Sequence, residues 1–328
     1  MSENSLSGSD YRMPKISIRS APPSQPGSTS SPRISRICAG RLEGMSLPEE
    51  LFADLDVIRV TPVRGGDIAR AYRLDTPSGP VFLKTHPSPT RMLFEREARG
   101  LRALREAAPP ELRIPEVLAA SPRGLVLEWI DEGGRGPATE SALGIGLAQL
   151  HSLPAPHFGG LDGDTSGYLG SVEVDLTPAS SWSEFYLERR VLPLTRRAVA
   201  EKRVPAEALR LLDVLSPRVD ELCGPPESPS LVHGDLWAGN RLVDVTGVNW
   251  LIDPAAHYAH REFDLAMMAL FGGFGAEAFA SYNETHPLAD GWQERIPWHH
   301  LAPLLVHAIL FGGGYGASVL STLRQLAA

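Results

Sequence analysis

Cysteine and lysine are nearly missing from this sequence, and long apolar runs are absent altogether. The two cysteines, Cys38 and Cys223, have no metal-ligand spacing, so a reducing, cytoplasmic setting is expected. No run of 18 or more apolar residues occurs, which argues against a membrane-spanning helix. The N-terminus also lacks the apolar core of a secretory signal. Basic clusters are lacking too. With a net charge of -8 and a pI near 5.7, no electrostatic footprint for nucleic acid is visible. Of 31 basic residues only Lys15, Lys84 and Lys202 are lysines, so a lysine inside an apolar strand is unusually informative.

What is present is enough chain for two lobes and a substantial core: 328 residues, 43% of them hydrophobic. Residues 1–44 hold eleven Ser and five Pro without apolar periodicity and read as a disordered tail, with Met45 an alternative start. From there the pattern predicts strands over 57–63 and 69–74 around Gly65-Gly66, a third strand over 80–84, and a helix over roughly 91–107. Further strands are expected at 115–119 and 124–129. This makes residues 45–130 a five-stranded antiparallel sheet with one helix after the third strand. Residues 131–328 read as a larger, mainly helical lobe. It has helices at 139–152, 181–200 and 205–222, a loop over 155–180, and a strand pair at 241–244 and 249–252. The fold class is α+β, in two lobes.

The stretch Leu231–Asp253 carries the chemistry. Phosphoryl transfer from ATP needs the phosphates and Mg²⁺ held, the acceptor hydroxyl oriented and developing charge neutralised. In His233-Gly234-Asp235-x-x-x-x-Asn240, Asp235 can steer or accept the hydroxyl proton and Asn240 can offer an amide oxygen to Mg²⁺. Asp253, ending the next apolar strand, can add a carboxylate to the same metal. Taken singly, each is as readily a turn, cap or strand-end residue. As an ordered set they have the D-x-x-x-x-N, hairpin, Asp arrangement of protein-kinase-like enzymes.

Lys84, on the third strand, would reach the nucleotide phosphates. Glu97 interrupts the apolar stripe Leu93, Leu101, Leu104 of the following helix and would pair with it. Gly65 and Gly66 would let backbone approach the phosphates, though a double glycine also suits a plain hairpin turn. Glu128 and Ile130 flank the link between lobes, where backbone groups could meet adenine. Asp264 opens an apolar helix and either bonds the catalytic-loop backbone or serves the helix dipole. His151 and the His299-His300 pair show no ligand spacing and read as structural or surface residues.

At HGDLWAGN (233–240), LIDPAAHYAHREFDLAM (251–267), GGDIARAYRL (65–74), FEREARGLRAL (94–104) and LFGGGY (310–315), the sequence resembles the fructosamine kinase, or ketosamine-3-kinase, family. The resemblance runs over about residues 45–328 and implies a protein-kinase-like fold. It implies ATP- and Mg²⁺-dependent phosphorylation of the sugar 3-hydroxyl of a ketosamine, free or protein-bound, leading to release of the amine. By position it implies Asp235 as the catalytic aspartate and Lys84 with Glu97 as the phosphate-binding pair. Asn240 and Asp253 become the metal ligands, and Trp237 stacks on the acceptor sugar. Ala69 departs from relatives that carry Asn there. An aminoglycoside- or choline-type kinase and a nucleotide-binding pseudokinase are the alternatives. A monomer or dimer is expected.

Overall fold

Strands β1 (Arg59–Val63), β2 (Arg70–Thr76) and β3 (Gly79–Thr85) form an antiparallel meander. In this computed structural model residues 47–63 and 69–328 are described. The Ser- and Pro-rich tail and Gly65-Gly66 lie outside them. Helix α1 (Leu93–Ala107) follows, then β4 (Leu112–Arg113), β5 (Val117–Ser121) and β6 (Gly124–Glu128). The five-stranded sheet has the order β1-β2-β3-β6-β5. Side chains alternate across it, so Leu83 packs outward with Tyr72, Leu74, Val126 and the preceding Leu51 and Phe52. Phe82 faces the other way, toward Phe94, Leu101 and Leu104 of α1. Strand alternation therefore puts Lys84 on the same side as Phe82, toward α1.

The expected sheet and helix are both present. One strand inside the expected first lobe goes elsewhere: β4 pairs in parallel with β11 (Asn249–Leu251) of the second.

The second lobe begins with α2 (Pro137–His151). The loop expected over 155–180 is in part a hairpin, β7 (Ser166–Leu169) and β8 (Val172–Asp175). Its register pairs Leu169 with Val172 across the two-residue turn Gly170-Ser171, where Gly170 has φ +58°. The helix expected at 181–200 is also interrupted. Between α3 (Trp182–Tyr186) and α4 (Leu192–Ala200), residues Leu187–Val191 form a π-turn. Pro193 explains it, since its ring and missing N–H cannot accommodate a regular α-turn just ahead of it. Pro217 likewise splits the next helix into α5 (Glu207–Leu215) and α6 (Val219–Cys223).

Then come β9 (Ser230–Val232), the hairpin β10 (Arg241–Val243) and β11, and β12 (His257–Ala259), which pairs with β9. Helices α7 (Glu262–Phe271), α8 (Ala276–Thr285), α9 (Trp292–His299), α10 (Leu301–Phe311) and α11 (Tyr315–Ala327) complete the chain. Both α7 and α10 are buried on most of their surface, as their nearly unbroken apolar sequences require. Among the described residues no helix is long and apolar enough to cross a membrane.

Asp244 ties the β10–β11 turn. Its carboxylate accepts from Thr246 N (2.8 Å), Thr246 Oγ1 (2.6 Å), Val248 N (3.0 Å) and Trp250 Nε1 (2.8 Å). Burial opposes ionisation, but these bonds outweigh it and bring the carboxyl down to about 2. A depressed carboxyl stabilises the fold above its unfolded value near 4 and ceases to do so as pH falls through about 2. Asp244→Ala is expected to cost about 2 kcal/mol at neutral pH, read as a lower urea midpoint with unchanged slope, and the difference from the parent should shrink between pH 4 and 2.

Candidate active site

The sharp turn after β9 builds the centre of the site. Gly234 has φ +80°, and a Cβ there would stand 2.2 Å from Ala255 O, so only glycine fits. Asp264, at the start of α7, accepts from His233 N (2.7 Å) and Gly234 N (2.8 Å). The catalytic-loop role weighed for Asp264 is thus present in the geometry. His151 is buried behind it, with Nε2 3.3 Å from Asp264 Oδ2 and Nδ1 3.0 Å from the Tyr282 hydroxyl. His233 donates from Nε2 to Ile252 O (2.9 Å) and accepts at Nδ1 from Asp235 N (3.3 Å). Burial keeps its imidazole below the ordinary range, and hence neutral. His299 is interior as well: its Nδ1 lies 4.0 Å from Glu262 Oε2, beside His260, while Arg295 holds that carboxylate at 2.9 Å.

This frame brings Asp235, Asn240 and Asp253 together. Asn240 Nδ2 donates to Asp235 O (2.9 Å), Asp235 Oδ2 (3.1 Å) and Asp253 O (3.4 Å). Its nitrogen is thereby spent, and the amide oxygen is the end left to act as a ligand. Asp253 adopts φ +54°, a left-handed conformation that non-glycine residues seldom take and that concentrates at functional positions. Lys84 reaches in from β3, with Nζ 2.9 Å from Glu97 Oε1 and 3.0 Å from Asp253 Oδ1. The ammonium therefore bridges the two lobes.

The electrostatics follow from burial. Burial and then the charge of Asp253 push the Asp235 carboxyl up to about 7, against the hydrogen bond from Asn240. That is the range suited to a base working at neutral pH. Burial would depress Lys84, but Asp253 and Glu97 outweigh it and hold the ammonium charged. Burial raises Glu97, and Lys84 opposes this.

A cavity of about 730 Å³ joins these groups. Its lining includes Lys84, Glu97, Glu128 and Ile130 from the first lobe and Asp235, Trp237, Asn240 and Asp253 from the second. Trp237 is half-buried with its ring over Gly239, where a Cβ would come within 2.1 Å of the indole. Glu128 spends its amide N–H on Glu116 O (3.0 Å), and its carboxylate accepts from Glu116 N (3.2 Å).

The β7–β8 hairpin matters here, and sequence reasoning missed it. Arg96 donates to Ser166 Oγ (2.6 Å), Arg99 bonds Asp164, and the Tyr168 hydroxyl donates to Arg91 O (2.9 Å). The second lobe thus grips α1 on both sides of Glu97. The alternation Val172, Val174, Leu176 after Gly170-Ser171 was the signal for it.

The model of the family "Fructosamine kinase" matches residues 46–328. A "Probable ketoamine kinase" of Lactiplantibacillus plantarum is 36% identical over 273 residues, 82% of this chain and 95% of that protein. A solved structure of a candidate fructosamine-3-kinase from Thermobifida fusca superposes with a TM-score of 0.77 at 39% identity, covering 85% of this chain and 96% of that one. An ADP-bound aminoglycoside phosphotransferase shares the fold, with a TM-score of 0.57 at 15% identity over 85% of this chain and 95% of that one. The two-lobed, protein-kinase-like α+β fold is therefore the fold of this chain.

Proposed function

Because the chain belongs to the fructosamine kinase family, we propose that it transfers the γ-phosphoryl group of ATP to the sugar 3-hydroxyl of a ketosamine. The observation that carries this reading is the convergence of Lys84, Glu97, Asp235, Asn240 and Asp253 on one cavity. In it, residues 45–130 form the nucleotide lobe and residues 131–328 the catalytic and acceptor lobe.

Asp235 orients the acceptor hydroxyl and takes its proton as the new P–O bond forms. Lys84, held by Glu97, contacts the phosphate oxygens. Trp237 offers its indole face to the sugar, and the backbone around Glu128 and Ile130 receives adenine. The donor set fits a hard divalent cation: the Asp253 carboxylate already carries a cation, Lys84 Nζ, at 3.0 Å, and Asn240, whose Nδ2 is 3.4 Å from Asp253 O, has its amide oxygen left to act as a ligand. Asn240 and Asp253 would hold Mg²⁺, which when bound neutralises charge on the phosphoryl oxygens. The same reading puts the enzyme in the cytoplasm as a monomer or dimer, without nucleic-acid or membrane partners.

Incubation with Mg²⁺, ATP and a panel of fructosamines and ribulosamines is expected to add one phosphate to the ketosamines, read by mass. Phosphorylation of choline or an aminoglycoside with none of any ketosamine would overturn the acceptor.

A further inference from the structure

The same cavity is also lined by apolar side chains of α7 and α10 and by a buried cation of the helical lobe. Met267 and Phe271, one turn apart on α7, face it together with Val306 and Leu310, one turn apart on α10. Among them lies Arg190, carried on the π-turn Leu187–Val191 and only 2% exposed, yet lining the cavity. Such widened turns recur at functional positions.

Arg190 is underpaired for a buried guanidinium. Its Nη1 donates to two backbone carbonyls, Asp175 O and Arg189 O. The neighbouring Asp175 carboxylate is directed elsewhere, accepting from Thr177 N (2.8 Å) and lying 3.8 Å from Arg189 Nε. No ion pair among the described residues includes Arg190. Its guanidinium carbon lies over the Phe185 ring, 4.7 Å from the centroid. A buried charge whose own contacts are backbone carbonyls, with the nearby Asp175 carboxylate acting only at a distance, is costly and leaves room for a direct partner. Burial brings Arg190 down to about 9, against the opposing charge of Asp175, so it is still charged at neutral pH. His257, between Arg190 and the Gly234 turn, is kept neutral by burial and by the Arg190 charge and supplies no anion.

We infer that Arg190 receives the carboxylate of the amine part of the acceptor, and that the preferred substrates are ketosamines of free α-amino acids with apolar side chains. This rests on the ketosamine reading above and deepens it. A ketosamine formed on an α-amine carries a carboxylate on the carbon next to the nitrogen, and Arg190 and Asp235 line the same cavity. The apolar side chain on that carbon meets the wall of α7 and α10. A ketosamine on the ε-amine of a protein lysine brings no carboxylate to this place.

The test compares kcat/KM of the full-length enzyme for fructosyl-leucine and for the fructosyl adduct of 3-methylbutylamine, which is the same acceptor without its carboxylate. The parent enzyme is expected to favour the leucine adduct by about ten- to a hundredfold, the range of a charge-assisted bidentate pair. Arg190→Met should collapse that preference toward unity, losing far more with the leucine adduct than with the amine adduct, and Arg190→Lys should fall between. A parent enzyme without preference would overturn the inference whatever the variants do, and so would an Arg190→Met loss equal for both acceptors, which would mean a structural or phosphate-directed role. Turnover of ketosamines without carboxylate preference removes this inference alone. Turnover of no ketosamine at all removes the acceptor assignment on which it rests.

Discussion

Asp235→Asn is expected to lower kcat by about 10²- to 10⁴-fold while leaving ATP affinity within a few-fold of the parent. The substitution keeps shape and keeps an oxygen for Asn240 Nδ2, which now lies 3.1 Å from Asp235 Oδ2, so the loop has no reason to rearrange. What it removes is the only atom pair in the loop able to accept the hydroxyl proton in the proposed mechanism. Calorimetric nucleotide binding next to steady-state turnover separates the two effects. A variant with near-parental kcat would remove Asp235 from the base role, and one that also failed to bind ATP would point to collapse of the loop.

Lys84→Met is the second large effect. On the proposed mechanism it should lower kcat/KM by about 10²- to 10³-fold, the scale of losing one fixed positive donor at a site of developing charge. It should also lower the thermal midpoint. Lys84 stands 2.9 Å from Glu97 and 3.0 Å from Asp253; removing the cation leaves both carboxylates without it, and Glu97, 9% exposed against 36% for Asp253, is the one stranded in a poorly solvated place. Adding Glu97→Met removes one of them. The double variant is expected to regain much of the midpoint and none of the rate. Recovery of both would mean that Lys84 serves folding alone.

The two effects share one design. The same ammonium joins the β-sheet lobe, through Glu97 on α1, to the helical lobe, through Asp253. The β7–β8 hairpin and the residues leading into it hold α1 and its approach from the other side, through Arg96, Arg99 and Tyr168. In many kinases-like folds a mobile helix is a control point, because the Lys–Glu pair must be in place for transfer. Here the helix is gripped by contacts from both lobes.

Much of this was legible in the sequence. Asp235, Asn240 and Asp253 lie within nineteen positions of one another, and a short turn followed by a hairpin gives such a set little freedom in space. Lys84 and Glu97 were legible for another reason: each violates its own surroundings, a lysine among apolar strand residues and a carboxylate on an apolar helix stripe. The β-meander and α1 followed from period-two and period-3.6 patterns. Tertiary packing alone decided the rest. The 155–180 segment is rich in Gly, Asp and Ser, and its short hairpin is stabilised by contacts with α1, more than sixty residues earlier in the chain. Pro193 announced a break in the helix, but not that the widened turn would carry a guanidinium into the cavity. The bridge from Lys84 to Asp253, and the lack of a direct ion pair at Arg190 among the described residues, depend on which side chains are taken out of water together. Local periodicity specifies which face of an element is apolar. Which charges meet behind those faces, and which one is left over, is decided by how the faces close on each other.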